Sequence, residues 1–346
     1  MILQQANLEA SYVVGGGVRV SAIARPTYLE SGTPDGSSER RFGMMPAGST
    51  FEAQSASGVG GEVQVSTRTF GLRFGSTPRK FLVSNFIGGL RFRPGNGPIT
   101  LLVERDVLRD SMLSFAGVRD PVTNRVWGGV VANTFSAQGN WGGSNSGFYT
   151  GFGFQTLTGR QVQSNTRIEG NLGMYFKVLE NPSGKLTAGF NLTGIHYEKN
   201  LRYFTFGHGG YFSPQQYMLA NVPVQWRGMY NQKVQYMINA SLGAQHFQEA
   251  ASPYFPTLPA LQGRNGPHYP KQVSTGANYS IDIQSSVPLT PVWHLGIFAN
   301  MNNTRNFNSA AAGVFLRFST RPRPLNQEVN IPSIPDWRGV EPFRLY

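Results

Sequence analysis

The sequence predicts an all-β fold: a transmembrane, antiparallel, up-and-down β-barrel of about 16 strands with a C-terminal tail at the periplasmic mouth or in the lumen. Three observations lead there. Apolar and polar residues alternate with period two, short connections alternate with long ones, and no window approaches the roughly 20 apolar residues of a membrane-spanning helix. A barrel strand spans with about 9–11 residues and shows only alternate side chains to lipid. The mean hydropathy of −0.26 therefore does not register it.

The alternation is clearest in four segments. Ile168, Leu172, Met174, Phe176 and Val178 are interleaved with Arg167, Glu169, Asn171, Tyr175 and Lys177. Leu186, Ala188, Phe190 and Leu192 alternate with Lys185, Thr187, Asn191 and Thr193. The same holds for Val234 to Leu242 and for Val273 to Ile283. Successive strand side chains point to opposite faces, so each segment has one apolar and one wet face.

About fifteen strands are read this way, near 4–13, 18–28, 50–64, 68–75, 80–93, 98–107, 127–139, 147–157, 165–178, 185–197, 216–228, 233–247, 273–287, 293–303 and 310–318. Connections 94–97, 181–184, 229–232 and 288–292 are short, whereas 108–126, 198–215 and 248–272 are long. Outer-membrane barrels show this asymmetry, with short periplasmic turns and long outer loops. The last strand ends on Phe318, a fitting aromatic close, and runs inward by this parity. The barrel is thus assigned to 1–319 and a Pro/Arg-rich tail to 320–346. Pro322, Pro324, Pro332 and Pro335 lack the donor a sheet needs, and Ile331, Ile334, Trp337, Phe343, Leu345 and Tyr346 are too apolar for a free tail. The tail is expected to pack in or across the periplasmic mouth, with its arginines near lumen carboxylates such as Glu169 and Asp282.

A soluble chain of 346 residues would suggest about two domains, but one large barrel uses the same length. The net charge of +12 points to an anionic partner, but its Lys and Arg are spread out and no nucleic-acid motif accompanies them. Lipopolysaccharide phosphates in the outer-membrane lipid, or a lumen field, are the expected uses. Met1-Ile2-Leu3-Gln4-Gln5 lacks the basic start and apolar stretch of a signal peptide, so an exported protein would be represented here by a processed or truncated piece. The absence of cysteine fits export and decides nothing by itself.

No catalytic set emerges, and no enzyme activity, cofactor or metal is expected. His196, His208, His246, His268 and His294 have no metal-ligand spacing, and there is no G-x-S-x-G elbow. Glu104, Asp106 and Asp110 have the residue types of a glycosidase pair, but Arg105 and Arg109 interleave with them, as in an ion-paired strand end. The alternatives to a channel are an outer-membrane hydrolase and a sealed structural or adhesive barrel.

The densest unusual run is KNLRYFTFGHGGYFSPQQY over 199–217. Tyr203, Phe204, Phe206, Tyr211 and Phe212 offer ring faces that stack on pyranose C–H faces, while its polar groups, with His208 and Tyr217, can bond sugar hydroxyls. A packed loop with glycines for its tight turns explains the run equally well. By parity it belongs outside or in the outer mouth.

This run resembles the signature of the C-terminal domain of the bacterial cellulose synthase operon protein C family. So do FLVSNFIGGLRFRP over 81–94, DSMLSFAGVRDP over 110–121 with WGGV over 127–130, and ASPYFP over 251–256. The resemblance implies a barrel of about sixteen strands preceded by periplasmic tetratricopeptide repeats, absent from this chain, which connect it to the inner-membrane cellulose synthase complex. It also implies the export of cellulose, a β-1,4-glucan, from periplasm to exterior. A neutral polymer needs a hydrated hole and neither a charge filter nor catalysis. Expected lumen-facing residues are Asn171, Tyr175, Asn191, Tyr197, Tyr217, Asn221, Gln225, Asn239, Gln245, Asn278, Gln284, Asn300 and Asn302, although every such barrel has a polar lumen.

Overall fold

The computed structural model describes residues 1–32, 41–46, 49, 52–231, 233–303 and 308–320. All but the first residue of the expected tail, 321–346, lies outside the described residues. The sheet begins with β1 (Ile2–Gln5), β2 (Leu8–Val14), β3 (Val18–Glu30), β4 (Ser55–Ser66) and β5 (Phe70–Ser76). It continues through β6 (Phe86–Phe92), β7 (Ile99–Val107), the two-residue β8 (Val118–Arg119), β9 (Val126–Gly142) and β10 (Ser146–Arg160). Then come β11 (Val162–Asn181), β12 (Gly184–Tyr197), β13 (Gln216–Tyr230) and β14 (Val234–Glu249). A separate small ladder, β15 (Ser252–Pro253) with β16 (His268–Tyr269), precedes β17 (Gln272–Pro288), β18 (Trp293–Asn302) and β19 (Ser309–Phe318).

Among the described residues the named strands all pair antiparallel, and each long strand pairs with the next long strand in sequence, an up-and-down meander. Because β1 and β2 both lie along β3, the meander has fifteen positions among the described residues, matching the fifteen segments read from the alternation. Among the described residues no registered pair joins this first position to β19, so the sheet is open along that seam.

Two segments differ from expectation for identifiable reasons. The strand expected over 4–13 is split at Ala6 and Asn7. Ala6 N–H still donates to Pro26 O at 3.1 Å, but Pro26 has no N–H to return, so the ladder breaks there. The strand expected over 80–93 begins only at Phe86. The residues before it leave the sheet after Pro78: Phe81 is buried and meets the Phe115 ring edge-on at 5.2 Å. Burial of that aromatic outweighs the alternating pattern that suggested a strand.

The two faces of the sheet differ as the alternation requires. Phe148, Phe152, Ile168, Leu172, Met174, Leu242, Val314 and Leu316 are exposed on the outer face, unpaired with any core. Inward neighbours such as Gln155, Arg167, Asn191, Gln225, Asn278 and Gln284 are buried. An apolar face around a polar interior is the reverse of a soluble protein, and it is stable where the outer solvent is hydrocarbon. The chain is an outer-membrane β-barrel protein by this architecture.

The hydrophobic core lies inside one end of the sheet. Inward side chains of Leu29, Val107, Leu157, Ile195, Tyr217 and Phe247, drawn from strands far apart in the meander, bury in a single cluster with loop residues. That convergence requires the sheet to curve around the cluster. All of the long connections open at this end, which is the outer end if short turns face the periplasm.

Candidate functional site

The core is a plug built from loops that fold back over the outer mouth. Its first part is α1 (Met112–Ala116), every residue of which is buried. Ser111 caps it: the Ser111 hydroxyl accepts from Ser114 N–H while the Ser114 hydroxyl accepts from Ser111 N–H. Gly117 ends it at a φ of 73°, a conformation that a β-carbon disfavours. Next, Trp127 enters the plug between Phe42 and Phe206, each 5.3 Å from its ring.

The run 199–217 is the centre of the plug. Phe206, His208, Tyr211 and Phe212 are almost wholly buried, while Phe204 is 43% exposed. Tyr203 stacks face to face on Tyr269, and both meet the His208 ring edge-on. Most rings of this run therefore pack against protein, whereas Tyr203 is half-buried and Phe204 exposed. Gly210 sits at a φ of 65°, and a β-carbon there would stand 2.7 Å from Ser111 Oγ. The glycine is what lets the run close against α1.

Polar contacts tie the plug to the barrel wall. Asn165 on β11 donates to Lys199 O at 2.8 Å and to Tyr211 Oη at 3.1 Å. Phe212 N–H donates to Asp110 Oδ2 at 3.1 Å. Arg202 pairs with the fully buried Glu249 at the end of β14. The Nε2 of His208 lies 2.9 Å from Pro253 O, and burial pulls its pKa down to about 4. Burial likewise pushes the Tyr211 hydroxyl well above its ordinary value and Tyr269 up to about 12. At neutral pH every one of these rings is uncharged, as a dry core requires.

Below the plug the interior is polar. Gln225, Asn239 and Asn300, expected in the lumen, are brought together: Gln225 on β13 faces Asn239 on β14, Asn239 faces Asp282 on β17, and Asp282 faces Asn300 on β18. Gln225 Nε2 donates to Asn239 Oδ1 at 2.9 Å, and Asn239 Nδ2 donates to Asp282 Oδ1 at 3.2 Å. Tyr175 and Tyr197 also point inward but at different heights. Tyr175 donates to Gly143 O at 3.3 Å near the short turns, whereas Tyr197 joins the plug, paired in register with Arg167, whose guanidinium lies over its ring. Tyr217 belongs to the plug as well, donating to Gln245 Oε1 at 3.2 Å.

Of the acidic cluster, Glu104 and Asp106 converge on one arginine while Asp110 turns to the plug. Arg73 on β5 reaches Glu104 at 2.9 Å, Asp106 at 2.7 Å and Glu62 at 3.5 Å. Asp110 is occupied by the plug backbone, and Arg105 lies on the outer face. Arg73, the hub of this network, was not apparent from sequence because it lies about thirty residues upstream, and only sheet register brings it alongside.

Residues 2–321 match the model of the cellulose synthase operon protein C C-terminus. The chain belongs to that family. It is 34% identical over 340 residues to the cellulose synthase operon protein C of Xanthomonas axonopodis pv. citri (strain 306), covering 92% of this chain and 22% of that protein. It is 32% identical over 325 residues to the one of Pseudomonas fluorescens (strain SBW25), covering 91% of this chain and 25% of that protein. The chain thus spans about a quarter or less of the curated relatives it matches. Among solved structures it is similar to a bacterial polysaccharide outer membrane secretin, with 10% identity and a TM-score of 0.48 over 91% of this chain and 95% of that one. An anion-selective porin from Comamonas acidovorans aligns with a TM-score of 0.37 at 9% identity, over 90% of this chain and 83% of that one.

Proposed function

We propose that this chain is the passage by which a neutral β-1,4-glucan, cellulose, crosses the outer membrane, and that it performs no catalysis. An inner-membrane synthase pushes the polymer, and periplasmic tetratricopeptide repeats elsewhere in the full-length protein guide it to the barrel. The reading rests on one observation in a chain of this family: the inward row Gln225, Asn239 and Asn300, with Asp282, at one height on four consecutive strands. Amides exchange hydrogen bonds between water and sugar hydroxyls at little net cost, so a glucan can slide past without being held.

A cellulose-producing bacterium lacking this protein tests the reading. Surface cellulose should vanish, return with the full-length protein, and fall again when Gln225→Trp and Asn239→Trp narrow the row in a barrel that still assembles. Undiminished surface cellulose in the deletion strain would rule the passage out. The buried plug favours a second reading, a barrel sealed at its outer end, and the two join if the plug is a gate that the emerging polymer displaces.

A further inference from the structure

The surplus of positive charge has a specific address outside the lumen. Arg119 and Arg125 flank the loop after α1, and Arg160 ends β10 at the tight turn into β11. With Asn124, Val126 and Gln161 they line an open hollow of about 400 Å³ at the outer end. No carboxylate lines it. None of the ion pairs among the described residues includes these three arginines. The nearby Asp120 is turned inward and fully buried, accepting from Met44 N–H and Thr123 N–H. One guanidinium is already oriented: Arg119 donates to Asn124 O at 3.1 Å and to Asn124 Oδ1 at 3.2 Å, with further N–H groups to spare.

Register fixes the height of this hollow on the outer wall. Going up the outward row of β9 and β10, Trp141 faces Phe148, Gly139 faces Thr150, Ala137 faces Phe152 and Phe135 faces Phe154. All of these but Thr150 are apolar or glycine, and Trp141 stacks on Phe148 at 5.1 Å. The next outward pair is polar: Asn133 faces Thr156 and donates to its hydroxyl at 3.3 Å, while Arg105 donates to Asn133 Oδ1 at 2.7 Å. Arg160 continues the row, ~20 Å along the strand beyond Phe154. Arg160 therefore stands on the outward face beyond the apolar band, above the first polar pair, and the hollow it lines with Arg119 and Arg125 lies at that outer end.

We propose that Arg119, Arg125 and Arg160 form a binding site for the phosphorylated sugar headgroup of an outer-leaflet glycolipid. Guanidinium forks bind phosphate oxygens in pairs, and three of them around one hollow match a headgroup that carries several phosphates. Asn124 and Gln161 supply amides for its sugar hydroxyls. The site lies outside the lumen, so a barrel that carried no glucan would still bind the lipid, and failure of the export reading would leave this one standing.

The test uses the full-length protein in detergent and rough-chemotype lipopolysaccharide, intact and after chemical dephosphorylation, with binding read by native mass spectrometry. The wild-type protein should hold the intact lipid about tenfold more tightly than the dephosphorylated one, and this preference should shrink as salt rises. R119Q/R125Q/R160Q should abolish the preference. R91Q/R93Q/R227Q, which removes equal charge near the short turns, should leave it intact. A preference that survives the first triple variant, or that the second abolishes equally, would overturn the site. Equal occupancy by inorganic phosphate at the same concentration would overturn the lipid as its source. All six arginines are exposed or rim residues, and the heat-dependent shift of a folded barrel on a gel confirms that each variant assembles.

Discussion

His208 is the residue at which the chemistry of the plug is most exposed to its surroundings. Its ring is fully buried, and its pKa of about 4 lies below the ordinary imidazole value because burial disfavours the charged form. The sign follows from linkage. An unpacked plug binds a proton below about pH 6.5, and the packed plug does so only below about pH 4, so packing is strongest above pH 6.5 and weakens as pH falls through that window. The full loss is roughly 3 kcal/mol. Proteolysis of the 199–217 run from the cell exterior should therefore accelerate between pH 7 and pH 4.5, and His208→Gln should flatten the dependence. An equally steep profile in the variant would assign the effect elsewhere. Phe206, at 0% exposure against Trp127, offers a pH-independent counterpart. Phe206→Ala should destabilise the plug by about 3–5 kcal/mol while the barrel itself remains folded in urea titrations.

At the scale of the element, the strands were legible because one physical rule, alternate faces, runs the length of each of them. Ile281 and Asn300 illustrate it: they belong to paired strands, with Ile281 exposed outward and Asn300 half-buried inward beside Asp282. Ile281→Arg should impair assembly, since an arginine at the lipid midplane costs about 2–4 kcal/mol, whereas Asn300→Arg should be tolerated beside a carboxylate. The fraction of folded barrel on unboiled gels measures both, and equal defects would refute the two-face assignment. The loops were far less legible. The alternation around Phe81 reads as a strand, yet that residue belongs to the plug, and a pattern of two cannot tell a partner strand from a loop that buries its aromatics. The helix α1 did carry a local signal, a capping Ser111 with Ser114 three residues on and Gly117 after the last turn, but five residues are too few for periodicity to reveal.

The whole molecule divides into a wall written in local pattern and a plug written in long-range contacts. The polar row from Gln225 to Asn300 could be anticipated because every member sits on the wet face of its own strand. The burial of Tyr211 by Asn165, or of Phe212 by Phe247, joins segments that no spacing rule connects. This division makes the plug separable from the wall. Tyr197 N–H donates to Pro214 O at 2.9 Å, so the ends of β12 and β13 stay together without the residues between them. Replacing residues 201–212 by a flexible linker of equal length should leave the wall assembled and remove the centre of the core. A barrel of this strand number encloses an aqueous lumen when nothing fills it. Conductance across a planar bilayer should then rise by about tenfold or more over the wild-type baseline. If the wild-type protein already conducts like an open pore, the plug does not seal the mouth. If the excised protein conducts no better than the wild type, the obstruction lies lower, and the 199–217 run is not what closes the passage.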